Sequence, residues 1–72
     1  MKENWINIFS SVNPIEVEIL KQMLSENNII AVTLNKQDSS YNMFGSIDLY
    51  VKENNQTIAL QLINEKHNEP NN

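Results

Sequence analysis

Between positions 36 and 41 the chain sets an ammonium (Lys36), a carboxylate (Asp38), two hydroxyls (Ser39 and Ser40) and a phenol (Tyr41) close together. Such a group can bind a small polar ligand, with Lys36 as the cation for an anionic moiety, or can accept a covalent modification. The same residue types also serve a scaffold, because Asp and Ser bond nearby amides in Asx- and ST-turns and so hold a loop in shape. Catalysis is not expected. A nucleophilic serine needs a positioned base, and the one histidine, His67, lies near the C-terminus. Glu16 and Glu18 are two positions apart on a helical pattern and do not share a face, so they suit the positive end of a helix dipole better than acid–base work. His67 with Glu65 and Glu69 lacks the supporting shell that a metal ion requires. There is no cysteine, which excludes thiolate metal sites and disulfides. The expectation is therefore no catalytic residue, no metal and no cofactor.

The elements around this polar stretch follow from hydrophobic period. Trp5–Ser10 alternates with period two, with Ile6 and Ile8 expected inward and Trp5, Asn7 and Phe9 outward. Asn13-Pro14 is a helix start: Asn13 can accept from a first-turn amide and Pro14 fits the first helical position. The helix should run to about Glu26 with Ile15, Ile19, Leu20, Met23 and Leu24 as its buried stripe, and Asn27-Asn28 should end it in a left-handed turn. A second strand is expected over residues 29–34 with Ile30, Val32 and Leu34 inward, and a third over residues 46–51 with Ile47, Leu49 and Val51 inward. Glu53-Asn54-Asn55 should cap a second helix with Ile58, Ala59, Leu62 and Ile63 inward, ending near Lys66. The polar connection of residues 35–45 is long for so small a domain, and such connections tend to carry function. Gly45, the one glycine, closes it, which points to positive φ or to close backbone approach.

This order gives an α+β, ferredoxin-like split β-α-β-β-α layout: a three-stranded antiparallel sheet in order 1-3-2, two helices on one face and the fourth strand absent. One domain is expected over residues 1–66, with residues 67–72 as a disordered tail. Trp5, Phe9 and Tyr50 are expected together on the helix-free face, as an interface. Strand one is an open edge without charge, and a 72-residue domain buries only about 60% of its unfolded surface. A homodimer through the sheet is the resulting expectation.

Composition narrows the partners. The net charge is −4 and arginine is absent, so nucleic acid, whose affinity rests on Lys and Arg displacing counterions, is not an expected partner. No apolar run approaches the ~20 residues of a membrane span, and Met1-Lys2-Glu3-Asn4 is unlike a signal peptide. No membrane association and a cytoplasmic location are expected.

Taken together, Trp5-x-x-x-Phe9, Asn13-Pro14-x-Glu16, the Asn28-Ile29 turn, the run from Leu34 to Tyr41, Phe44-Gly45 and Leu49-Tyr50-Val51 resemble a small bacterial family of "putative prokaryotic signal-transducing proteins" of unknown function with a PII/GlnB-like ferredoxin fold. The resemblance spans about residues 5 to 63. It implies a regulatory role and, by the position of the PII regulatory T-loop between strands two and three, gives the 35–45 loop as the place to look. The chain lacks the basic cluster and glycine-rich turn of ATP-binding PII proteins, so only the loop position carries over. The expected function is a non-enzymatic regulatory or adaptor module that binds a protein partner or small polar ligand through Lys36, Asp38, Ser39, Ser40 and Tyr41 and the aromatic face. The alternative is a monomeric small-molecule sensor whose loop closes on an anionic metabolite.

Overall fold

The computed structural model describes residues 4–38 and 45–68, Asp38 by its backbone alone. Three strands and two helices run in the order β1 (Trp5–Ser11), α1 (Pro14–Glu26), β2 (Ala31–Asn35), β3 (Ile47–Lys52) and α2 (Gln56–His67), with 3-10 turns at Lys36–Asp38 and Glu53–Asn55. The sheet order is β1-β3-β2, and both outer strands run antiparallel to β3. The α+β, β-α-β-β-α layout expected from sequence is the one observed. His67, expected in the tail, is the last residue of α2; residues 69–72 lie outside the described residues.

The start of α1 obeys its sequence signal. Asn13 takes an extended conformation and its Oδ1 accepts from the Ile15 amide at 3.0 Å, with Pro14 at the first helical position. The end of α1 decides more. Asn28 adopts φ 64°, its amide donates to Ser25 O and the Ile29 amide reaches back to Leu24 O at 2.9 Å. That is the paired bonding of a Schellman motif, in which the residue after the left-handed position packs on the last full turn of the helix. Ile29 and Leu24 are accordingly both buried.

This contact sets the phase of β2. With Ile29 turned into the core, alternation turns Ala31 the same way, and Ala31 pairs with buried Val51 while Val32 pairs with Tyr50. The expected facing of the second strand is therefore inverted: Ile30, Val32 and Leu34 point away from the core and are 67%, 41% and 50% exposed. A period of two fixes which residues share a face, and a one-residue slip exchanges the faces. The α1 stripe is likewise turned from its expected position. Val17, Leu20 and Leu24 are buried with Met23 against them, whereas Ile15 and Ile19 are exposed.

A second irregularity lies in β1. Asn7 pairs with Tyr50 and Phe9 with Leu49, so Ile8 is an extra residue in a β-bulge. Two residues then oppose one, and the alternation of the strand changes phase. Phe9 consequently turns to the helix side, where it packs on the core with its ring 5.7 Å from that of His67. The expectation that Trp5, Phe9 and Tyr50 share the helix-free face is corrected for Phe9; Trp5 and Tyr50 keep it.

The core lies between sheet and helices, built on Ile47, Leu49 and Val51 of the central strand, Leu20 and Leu24 of α1, and Ala59 and Ile63 of α2. Ile58, expected inward, is exposed, and Asn55 makes no side-chain cap: α2 is entered through the 3-10 turn instead.

Candidate functional site

The central strand carries a carboxylate on the face opposite the helices. Asp48 is buried, at 5% exposure, because its neighbours supply polar cover in place of apolar packing. Ser10 Oγ donates to Asp48 Oδ1 at 2.8 Å, Ser46 Oγ donates to the same oxygen at 2.9 Å, and Lys36 Nζ meets Oδ2 at 2.8 Å. Burying a carboxylate without such partners would neutralise it or destabilise the fold.

Each partner comes from a different segment. Ser10 lies directly opposite Asp48 across the β1–β3 ladder, Ser46 stands two residues earlier on the same face, and Lys36 comes directly after the last residue of β2. The Lys36 bond lowers the Asp48 pKa below the usual carboxylate value, and Ser10 and Ser46 add to this against the effect of burial. Asp48 in turn raises Lys36 above the ordinary lysine value, through its hydrogen bond first and its charge second.

The pair anchors the stem of the connection between β2 and β3. The Lys36 amide donates to Ser46 O at 2.9 Å, extending the ladder past the strand ends. Asn35 Oδ1 accepts from the Gln37 amide at 2.8 Å in an Asx turn, and Gln37 Nε2 reaches Val12 O at 2.8 Å, tying the stem to the β1–α1 turn. That turn has its own network, in which Ser11 Oγ donates to Glu16 and accepts from the Asn13 amide. Gly45 completes the stem by close approach. Its φ is not positive, and a Cβ there would stand 2.5 Å from the carbonyl oxygen of Lys36.

Of the expected loop residues, Lys36 sits at the stem and Asp38 ends the 3-10 turn; Ser39, Ser40 and Tyr41 lie outside the described residues. Trp5 and Tyr50 stand on the helix-free face, with Lys52 Nζ 5.7 Å from the Trp5 ring centre. Val32 pairs with Tyr50 and Leu34 with Asp48 on that same face, so aromatic and aliphatic groups flank the buried carboxylate. Asp48, Ser10 and Ser46 were not singled out by sequence reasoning. The one signal for it was its place on the middle strand, where a charge has neighbours on both sides and must be partnered.

The arrangement is better suited to holding than to reacting. A carboxylate with both oxygens engaged and a lowered pKa is a weak base, so it does not activate Ser10 or Ser46. Among the described residues no group of three or more His, Cys, Asp or Glu side chains is placed to hold a metal ion. No helix among them is long and apolar enough to cross a membrane.

No curated protein and no solved structure gives a significant match to the chain. A family model does match, over residues 5–66, which reaches from the first residue of β1 to the penultimate residue of α2 and takes in the buried aspartate, its partners and the loop. The chain belongs to the family described as "putative prokaryotic signal transducing protein".

Proposed function

We propose that the chain is a non-enzymatic regulatory module of signal transduction, working in the cytoplasm as a homodimer and recognising a protein partner with its helix-free sheet face and the adjoining 35–45 loop. One observation carries this reading: the described elements leave that face uncovered, with Trp5, Val32 and Leu34 exposed beside Tyr50, and the face runs directly into a loop stem held by the ion pair of Lys36 with a buried carboxylate. A contiguous apolar patch with a polar anchor beside it suits a protein interface, where aromatic groups supply most of the binding energy.

The Lys36–Asp48 pair supports a second reading. Lys36 has a side chain 55% exposed even though its ammonium is paired. An anionic metabolite could compete with Asp48 for it and close the loop of a monomeric sensor.

A Trp5→Ala/Tyr50→Ala variant tests the first reading. It should fold with the wild-type circular dichroism spectrum and lose capture of partners from the native host's lysate; undiminished capture would remove the face from recognition. A thermal-shift screen of anionic metabolites tests the second, since a ligand bound only by the native state raises its melting temperature. A rise that Lys36→Met abolishes would favour the sensor.

A further inference from the structure

The two edges of the sheet are built differently. β1 carries the Ile8 bulge, and its start is tied down where the Glu53 amide donates to Asn4 O at 2.8 Å. Bulges of this kind block strand addition at an edge. β2 has no such device: its register with β3 is unbroken, and residues 27–35 contain no charge, no proline and no glycine. Beyond Ala31 every residue of β2 is exposed, including Thr33 and Asn35 on the helix side. Among the described residues, nothing covers the strand along its edge or, beyond Ala31, on either face.

We propose that two copies of this chain join edge to edge through β2, antiparallel about Thr33, into one six-stranded sheet. The inference rests on the homodimer of the proposed function and names its seam. A two-fold axis at Thr33 sets Thr33 opposite Thr33 of the second copy on the helix side, and Val32 opposite Leu34 on the open face, an apolar cross-strand pair. Because the segment is uncharged, the net charge of −4 on each copy brings no like-charged residues together within the strand pair. The assembly also closes at two, since the bulged β1 edge does not extend it.

Strand pairing alone is too small. β2 is about 17 Å long at roughly 3.4 Å per residue, and a specific interface needs about 1,000 Å² of total buried surface. The register extends the contact. It places Asn28, Ile29 and Ile30 of one copy opposite the Lys36–Asp38 turn of the other. Beside those residues lies a groove of about 380 Å³ lined by Lys21 and Ser25 of α1 and by residues 28–31. The turn that enters it ends in Asp38, and its other charge, Lys36, is paired with Asp48. The register thus brings the turn that carries Asp38 toward the part of α1 that carries Lys21, once on each side of the axis.

Sedimentation of the full chain across a concentration series tests this. The wild type should move reversibly toward twice the 8.3 kDa monomer mass. Thr33→Lys should weaken association by about tenfold or more, because like charges meet at the axis, and Trp5→Ala should leave it unchanged. Lys21→Glu should weaken it and Lys21→Glu/Asp38→Lys restore it, so the seam remains testable if Thr33→Lys misfolds. A wild type that stays monomeric overturns both this seam and the homodimer. A dimer broken by Trp5→Ala but not by Thr33→Lys overturns the β2 seam and leaves the homodimer standing. Failure of the double variant to restore association overturns the register.

Discussion

The central strand is buried on both faces, by opposite means. Toward the helices, Ile47, Leu49 and Val51 are covered by apolar side chains of α1 and α2. Away from them, Asp48 is covered by two hydroxyls and an ammonium, and its neighbour Tyr50 stands half-buried among exposed apolar groups. Burial on the first face is a matter of area and volume, which scale with contact and are insensitive to direction. On the second it depends on three directed bonds, which lock the stem of a loop while leaving the surrounding surface open. One sheet therefore separates the part that holds the fold from the part that can meet another molecule.

The largest test of that separation is Leu49→Ala. Leu49 is fully buried, and truncating such a leucine costs about 2–5 kcal/mol through lost transfer energy and the cavity left behind. Scaled by size, a chain of this length has a total stability of about 4–11 kcal/mol, so the variant should be near or past its unfolding threshold at moderate temperature. Urea unfolding would check this, and a loss under about 1 kcal/mol would mean that the helix side can collapse around the gap.

On the opposite face, Asp48→Ala should cost about 1.5–3 kcal/mol, the range for hydrogen bonds to a charged group. The loss should depend on pH with a definite sign. Asp48 has a folded-state pKa below its ordinary 3.8, so its contribution is complete above that value and is lost as pH falls through the folded pKa. Lys36 has a raised pKa, so its contribution is complete below 10.5 and is lost as pH rises through the folded pKa above that value. The stability difference between wild type and Asp48→Asn should therefore be level across neutral pH, and narrow in strong acid and strong alkali. A difference that changed between pH 6 and 8 would assign the effect to another group.

Gly45→Val examines the stem itself. A Cβ would stand 2.5 Å from Lys36 O and 3.0 Å from the Gln37 amide nitrogen, both backbone atoms that yield only if the stem moves. Overpacking of this kind costs about 1–3 kcal/mol. The displacement should also loosen Lys36 from Asp48, so the amide resonances of Ser10 and Ser46 should shift while those of α2 hold. Unchanged resonances at Ser10 and Ser46 would separate the glycine from the carboxylate.

What was legible in the sequence divides along the same two faces. Element order, sheet order and the β3 alternation follow from period and length, since Ile47, Leu49 and Val51 admit one inward assignment once the helices are placed. Gly45 offered two readings, and close approach is the one that holds. The phase of β2 was not legible from its own residues. Ile30-Ala31-Val32-Thr33-Leu34 has its larger side chains on the face that proves to be open, and the deciding contact is Ile29 on Leu24, formed by a capping motif one element earlier. The bulge at Ile8 was hidden for a similar reason: Trp5–Ser10 alternates well enough to read as a regular strand, and Phe9 turns inward only because Leu49 and the helices lie there. Ser10, Ser46, Lys36 and Asp48 are drawn from three segments, so their meeting depends on register and no local pattern reports it.

The smallest effect makes the sharpest comparison, because it applies one substitution to both faces. Val51→Thr replaces a methyl of a fully buried side chain with a hydroxyl, and burying that group without a partner costs about 1–3 kcal/mol. Val32→Thr makes the same change at a position 41% exposed on the open face, where water can satisfy the hydroxyl and a β-branched side chain is kept on the strand. Its effect on folding should stay within about 0.5 kcal/mol, as for surface positions in general. Urea unfolding at the lowest workable protein concentration isolates folding from association. Raising the concentration then adds whatever the native state gains by self-pairing through β2. If Val32→Thr is as damaging as Val51→Thr at low concentration, the open face is part of the core after all. If the two differ as expected, and the Val32→Thr deficit appears only as concentration rises, that face contributes nothing to the single chain and acts only between molecules.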